Sequence, residues 1–177
     1  NMKKNPSDTC QLYPHQRFIR NFMGSLDSPY RGILLYHGLG TGKTITSISI
    51  AESLATERKI IVMLPASLVR NYVNEIITCG NDAFNRRSHW SFFPTSHPEF
   101  SPMMLKMKTI GVSPGLMVKS KGVWVFEEND NRPSNYETLD EDAKAQVSQQ
   151  VESMIKKRYT FIHYNGVTSS KLRAMGP

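Results

Sequence analysis

Residues 34–48 read LLYHGLGTGKTITSI, an apolar run that breaks into a glycine-rich turn and then into a helix-forming segment. Gly38, Gly40 and Gly42 surround Thr41 and lead into Lys43 and Thr44. Glycines let consecutive backbone N–H groups turn inward around an anion without Cβ clashes. A helix beginning there adds its free N–H groups and the positive end of its dipole. In that setting Lys43 brings a mobile positive charge to the outer phosphates of a nucleotide, and the Thr44 hydroxyl suits Mg²⁺. The strict pattern G-x-x-x-x-G-K-[ST] would place glycine at position 37, where this chain has His37.

The flanking sequence supplies a frame for that turn. GILLY (32–36) is an apolar run of buried-strand type, and KIIVML (59–64) is a second. Between them Lys43 to Ala55 is predicted helical, with Ile45, Ile48 and Leu54 on its buried side. Ser67 to Thr78 is a second amphipathic helix, apolar at Leu68, Val69, Tyr72, Val73, Ile76 and Ile77. Pro14 to Met23 forms a helix upstream, with Phe18, Ile19, Phe22 and Met23 as its apolar face and Gly24 at its end. Strand and helix alternating at this spacing predict an α/β fold, a parallel sheet covered by helices.

The pattern then changes. Residues 81–138 mix bases, aromatics and prolines and are read as an insertion. Within it, 103–126 alternate enough to predict short antiparallel strands turning near Lys121-Gly122, and Trp90 and Phe93 are expected to form its core. Arg86, Arg87, Lys106, Lys108, Lys119 and Lys121 stand there against Glu99 alone, a mixture of charge and rings that also suits nucleic acid. Thr138 with Glu141 reads as a capping box. It opens a helix with Leu139, Ala143, Val147, Val151 and Ile155 on one face, and YTFIHY (159–164) returns to strand, with His163 expected to be packed.

The 177 residues carry a net charge of +7. Seven of the fifteen acids fall between 127 and 142, so elsewhere the chain is strongly basic. That distribution suits a polyanionic partner. Two cysteines, Cys10 and Cys79, are too few for a disulfide framework, and a reducing setting is the expectation. Cys79, His89 and His97 are spaced unlike a usual zinc site, and no Ser-His-Asp or Cys-His arrangement is visible. No apolar run approaches the ~18 residues of a membrane span.

LYPHQRFIRNFM, RGILLYHGLGTGKTITSISIAE and IIVMLPASLVRNYVNEI together resemble the first RecA-like lobe of superfamily 2 helicases. The resemblance points to the branch of large nucleocytoplasmic DNA viruses, which includes poxvirus-like early transcription factor and nucleoside triphosphate phosphohydrolase subunits and is related to Swi/Snf-type translocases. It covers residues 11–78 and returns at KKRYTFIHYNG (156–166). It implies ATP and Mg²⁺ as cofactors, with catalytic roles for Lys43 and Thr44 and the nucleotide held by Gln16, Gly38, Gly40, Thr41, Gly42, Lys43 and Thr44. Gln16 would read adenine, since its amide can both donate and accept. Pro65 and Ser67, after a strand and opening a helix, would meet a nucleic-acid backbone phosphate. His15 or Tyr13 would stack on the base.

The family's Asp-Glu pair after an apolar strand is missing. Glu127-Glu128 and Asp140-Glu141 are the candidates, and neither fits the pattern. The expectation is therefore a chain that stops before that motif and before the second lobe. Residues 1–11 would be a flexible N-terminus, 12–80 the first part of the lobe, 81–138 the insertion, and 139–177 the helix and strand returning to it. By itself such a chain is expected to be inactive. The resemblance further implies nucleic acid as partner, DNA more than RNA, with viral RNA polymerase or transcription factor subunits beside it, and residence in virion or host cytoplasm. The rival readings are a small P-loop kinase and a non-catalytic nucleotide-binding or interaction module.

Overall fold

The computed structural model describes residues 10–25, 28–38, 40–86, 88–126, 132–164, 169, 170 and 173. In chain order its elements are α1 (Pro14–Gly24), α2 (Lys43–Ser53), β1 (Ile60–Leu64), α3 (Ala66–Cys79), β2 (Trp90–Pro94), α4 (Phe100–Thr109), α5 (Pro114–Lys119), β3 (Gly122–Phe126), α6 (Glu141–Arg158) and β4 (Tyr159–His163). Short 3₁₀ turns lie at Asp82–Phe84 and Tyr136–Thr138.

β1 and β4 pair in parallel, from Ile60 opposite Tyr159 to Leu64 opposite His163. The α/β expectation holds at that level: helices accompany a small parallel sheet. β2 and β3 pair antiparallel, from Trp90 opposite Phe126 to Pro94 opposite Gly122. One apolar cluster joins the two sheets. Ile48 of α2, Ile60 of β1, Ile76 of α3, Trp90 of β2, Val123 of β3 and Val147 and Val151 of α6 all belong to it. Trp90 is thus buried, as expected, in a core shared with the flanking helices.

Several expectations fail for identifiable reasons. Residues 32–36 form no strand, and Leu34 is 87% and Tyr36 95% exposed. A strand exists only with a partner, and no other strand among the described residues pairs with this run. β1 alternates: Ile60 and Leu64 are buried, while Ile61 and Met63 are 40% and 44% exposed. One side of that strand is therefore uncovered, unlike the two-sided burial of a complete parallel sheet.

The stretch 100–119 is two helices, not strands. Its Met, Leu and Lys residues are strong helix formers, and Pro114 occupies the first position of α5, where its fixed φ is favourable. The antiparallel partner of β3 is 90–94 instead, and Lys121 takes a positive φ of 51° just before β3.

Asp140, not Thr138, caps α6, accepting from the Ala143 N–H at 2.7 Å. Thr138 instead closes the preceding 3₁₀ turn by donating to the Asn135 carbonyl at 2.7 Å. The expected α6 face is otherwise buried at Val147, Val151 and Ile155. Phe18 and Phe22 are exposed; the buried residue of α1 is Gln16. In α2 the buried positions are Thr46, Ile48 and Ser49, with Ile45 and Leu54 half-buried. His163 is exposed at the end of β4. Cys10 and Cys79, expected as thiols, are joined in a disulfide.

Two side-chain amides finish the edges of the small antiparallel sheet. Asn135 accepts from the Trp90 N–H at 2.8 Å and donates to the Trp90 carbonyl at 2.8 Å. Gln150 of α6 treats Trp124 the same way, at 3.2 and 2.7 Å. Each amide takes the place of a neighbouring strand, which satisfies backbone groups that a two-stranded sheet leaves open.

Candidate functional site

The glycine turn delivers the chain into α2, whose first residue is Lys43. Gly40 and Gly42 have φ of 75° and 77°, in the left-handed region that disfavours side chains. At Gly42 the requirement is doubled, since a Cβ there would lie 2.5 Å from the Gln16 Nε2. The Thr41 hydroxyl donates to the Gly38 carbonyl at 2.9 Å. The Lys43 ammonium folds back over the turn, donating to the carbonyls of His37 at 3.1 Å and Gly38 at 2.9 Å. Lys43 is exposed and Thr44 half-buried.

Gln16 is brought to this turn by α1. Its Nε2 donates to the Gly42 carbonyl at 3.2 Å, and its Oε1 accepts from the Tyr13 N–H at 2.8 Å. Both ends of the amide thus serve backbone groups, which explains why a glutamine is 1% exposed. Beside it lies a short row of rings. Tyr13 stacks on His15 with centroids 5.8 Å apart, and His15 meets His37 at 5.5 Å. His37, the residue where the strict pattern has glycine, therefore belongs to the same corner as the two upstream aromatics.

Pro65 and Ser67 lie just after β1 and in the first turn of α3. Both are exposed. Pro65, not Ser67, occupies the N-cap position of α3. α3 is tied to α2 one turn beyond Thr44, where Ser47 Oγ and Tyr72 Oη lie 3.0 Å apart.

A second network, invisible in the sequence, anchors the far end of α2. Glu52 accepts from Arg158 at 2.6 Å and from the Tyr159 hydroxyl. Arg158 also lies over the Phe84 ring, 5.0 Å from its centroid. Burial, reinforced by the Glu52 charge, pushes the Tyr159 phenol well above its ordinary pKa. Tyr72 is raised too, mainly by burial and partly offset by its Ser47 partner. Partners this far apart in sequence leave no local pattern to read.

Of the candidate acids, Asp140 is engaged as the α6 cap and Glu141 pairs with Lys144 at 3.0 Å, both exposed on the helix start. Glu127 and Glu128 lie outside the described residues, as do residues 1–9 and Arg87. No group of three or more His, Cys, Asp and Glu side chains stands together among the described residues. None of the described helices is long and apolar enough to cross a membrane.

This chain is similar to several viral proteins over part of its length. A candidate ATP-dependent RNA helicase of Acanthamoeba polyphaga mimivirus is 36% identical over 84 residues, which is 47% of this chain and 14% of the relative. A candidate helicase of Frog virus 3 is 40% identical over 73 residues, 38% of this chain and 8% of the relative. A candidate helicase of Invertebrate iridescent virus 3 is 38% identical over 87 residues, 41% of this chain and 8% of the relative. The chain thus spans a small fraction of each. No family model and no solved structure matches it.

Proposed function

We propose that this chain is the ATP-binding portion of the first RecA-like lobe of a viral nucleic-acid helicase or translocase. The observation that carries the reading is Lys43 at the first residue of α2, its ammonium held over the glycine turn by two carbonyls. Those carbonyls occupy the donors that a bound polyphosphate would take over. The names of the partial relatives support the class.

In this reading the turn from Gly38 to Thr44 encloses the phosphates and Gln16 fixes the turn against α1; to read adenine, its amide would have to leave the Gly42 carbonyl and swing out of its buried position. The half-buried Thr44 hydroxyl would hold Mg²⁺ together with the nucleotide's own phosphates; the ion would supply charge neutralisation at the transferred phosphoryl group. Pro65 and Ser67 would meet a strand of nucleic acid at the N-terminus of α3. The mimivirus relative is named for RNA, so its name puts no weight on DNA over RNA. Residues 12–80 and 139–177 would form the lobe, with 81–138 as its insertion.

The exposure of Leu34, Tyr36, Ile61 and Met63 supports the view that further parts of a longer protein cover these side chains. The missing Asp-Glu motif and second lobe would lie in that remainder, so ATP turnover would require it.

Calorimetric titration of ADP into the chain and its Lys43→Ala variant tests the assignment. Loss of a charge-assisted phosphate contact should weaken binding by about 1.5–3 kcal/mol. Equal affinities would remove the phosphate-binding reading.

A further inference from the structure

We propose that Cys10 and Cys79 form an exchange-active disulfide, opened by small anionic thiols of the glutathione class, whose state sets how firmly α1 is held on α2. The two residues are separated by 69 positions, with Cα atoms 5.0 Å apart. The bond ties the segment leading into α1 to the last residue of α3. It lines an open cleft of about 490 Å³ together with Arg17 and Arg20 of α1, Glu52 and Asp82. Both cysteines are half-buried, so a solute in the cleft reaches them.

The surroundings favour exchange. A thiolate is the attacking and leaving species, and neighbouring arginines stabilise it. Of the two acids in the cleft, Glu52 is committed to Arg158 and Tyr159. Arg17 and Arg20 therefore outweigh Asp82 and draw in a thiol that carries carboxylates.

Opening the bond matters because it is the covalent tie of α1; the rest of the helix's hold is packing along α2 and the Gln16 amide on Gly42. Its buried residue is Gln16; Phe18 and Phe22 are exposed and Ile19 and Met23 only half-buried. A helix without a buried apolar face docks weakly. With the disulfide closed, the chain four residues before Pro14 is fixed, and Gln16 stays on Gly42. With it open, that single amide and the helix's contact along α2 remain.

The chemistry balances with thiol alone. An incoming thiolate attacks one sulfur, forms a mixed disulfide and releases the other cysteine, which takes a proton. A second thiol attacks the mixed disulfide and releases the remaining cysteine. The protein gains two electrons and two protons, and two thiols become one small-molecule disulfide. The reverse reaction closes the bond.

The consequence for nucleotide rests on the function proposed above; the tether does not. Equilibrate the chain in glutathione buffers from reducing to oxidising, trap free thiols by alkylation, and count them by mass spectrometry. In the same samples follow hydrogen exchange of residues 13–24 and titrate ADP. The disulfide should titrate with the buffer, and α1 amides should exchange at least ten-fold faster once it opens. Cys10→Ser and Cys79→Ser should exchange rapidly in every buffer. Glutathione should open the bond faster than a neutral thiol of similar pKa, and Arg17→Gln with Arg20→Gln should remove that advantage. ADP should bind several-fold more weakly to the reduced chain. Thiols that stay free in the oxidising buffer, or α1 exchange that ignores the redox state, would overturn the proposal. Exchange that follows redox state in a chain that binds no ADP in either form would uphold the tether and remove the nucleotide reading instead.

Discussion

The Gln16 amide nitrogen sits 3.2 Å from the Gly42 carbonyl and occupies the space a Gly42 side chain would need. One helix thus sets the shape of a turn 26 residues away, and the turn in return leaves room for it. Breaking either side should show which matters more. Gln16→Glu keeps an acceptor for the Tyr13 N–H but has no donor for Gly42, and it sets a charge against a carbonyl. It should cost about 1–3 kcal/mol in urea unfolding. Gly42→Ala should cost about 1–2 kcal/mol from its left-handed backbone alone, with added loss where the methyl meets Gln16. A Gln16→Glu chain as stable as its parent would show that this contact is dispensable.

The Glu52 network makes an alkaline prediction. Tyr159 is raised above the ordinary tyrosine value of about 10, first by burial and then by the Glu52 charge. The unfolded chain releases this proton near pH 10 while the folded chain retains it. The associated stability is therefore complete below pH 10 and is lost as pH rises above it. Tyr159→Phe should cost about 0.5–1.5 kcal/mol at neutral pH through its lost hydrogen bond. Above pH 10 the parent should lose ground to the variant by about 1.4 kcal/mol for each pH unit. Paired denaturant titrations at pH 7, 10 and 11 read this directly. Parallel pH profiles would mean that Tyr159 ionises as readily folded as unfolded.

Gln150 offers a test of how the small sheet is sealed. Gln150→Leu preserves most of the volume while leaving the Trp124 N–H and C=O without their partner. The expected cost is about 1–3 kcal/mol, with faster hydrogen exchange at the Trp124 amide. Unchanged exchange there would mean that the α6 amide does not act as the missing strand.

The features legible in the sequence were those written in a local period or a turn. The helix start at Lys43, the strands at 60–64 and 159–163, and the α6 face of Val147, Val151 and Ile155 follow from spacing alone. Residues 103–119 misled because Leu105-Lys106-Met107-Lys108 and Ile110-Gly111-Val112-Ser113 alternate apolar with polar or small residues, a period-two pattern laid over a stretch that also holds strong helix formers. Gln16 was legible as a special residue, but its burial was not: a helical glutamine goes inside only when distant backbone groups use both ends of its amide. The Glu52–Arg158 pair and the Cys10–Cys79 bond join positions 106 and 69 apart, and separation of that kind has no signature in a single sequence.

Leu34 distinguishes this chain from the longer protein proposed to contain it. In this structure the side chain is 87% exposed, so Leu34→Ser should alter stability by less than about 0.5 kcal/mol. If the apolar run at 32–36 lies between further strands in the longer protein, the same side chain becomes buried there. Burial of a leucine stabilises by about 1.5–3 kcal/mol, and placing a serine in its position forfeits that and buries a hydroxyl. Denaturant titration of Leu34→Ser in both proteins should therefore give a near-zero change in the short chain and a loss of at least about 1.5 kcal/mol in the long one. Tyr36→Ser, whose parent side chain is 95% exposed, should be near-neutral in the short chain too and follow the same division if its side is covered. A Leu34 substitution that is neutral in both would leave the run as a surface segment and remove it from the proposed sheet.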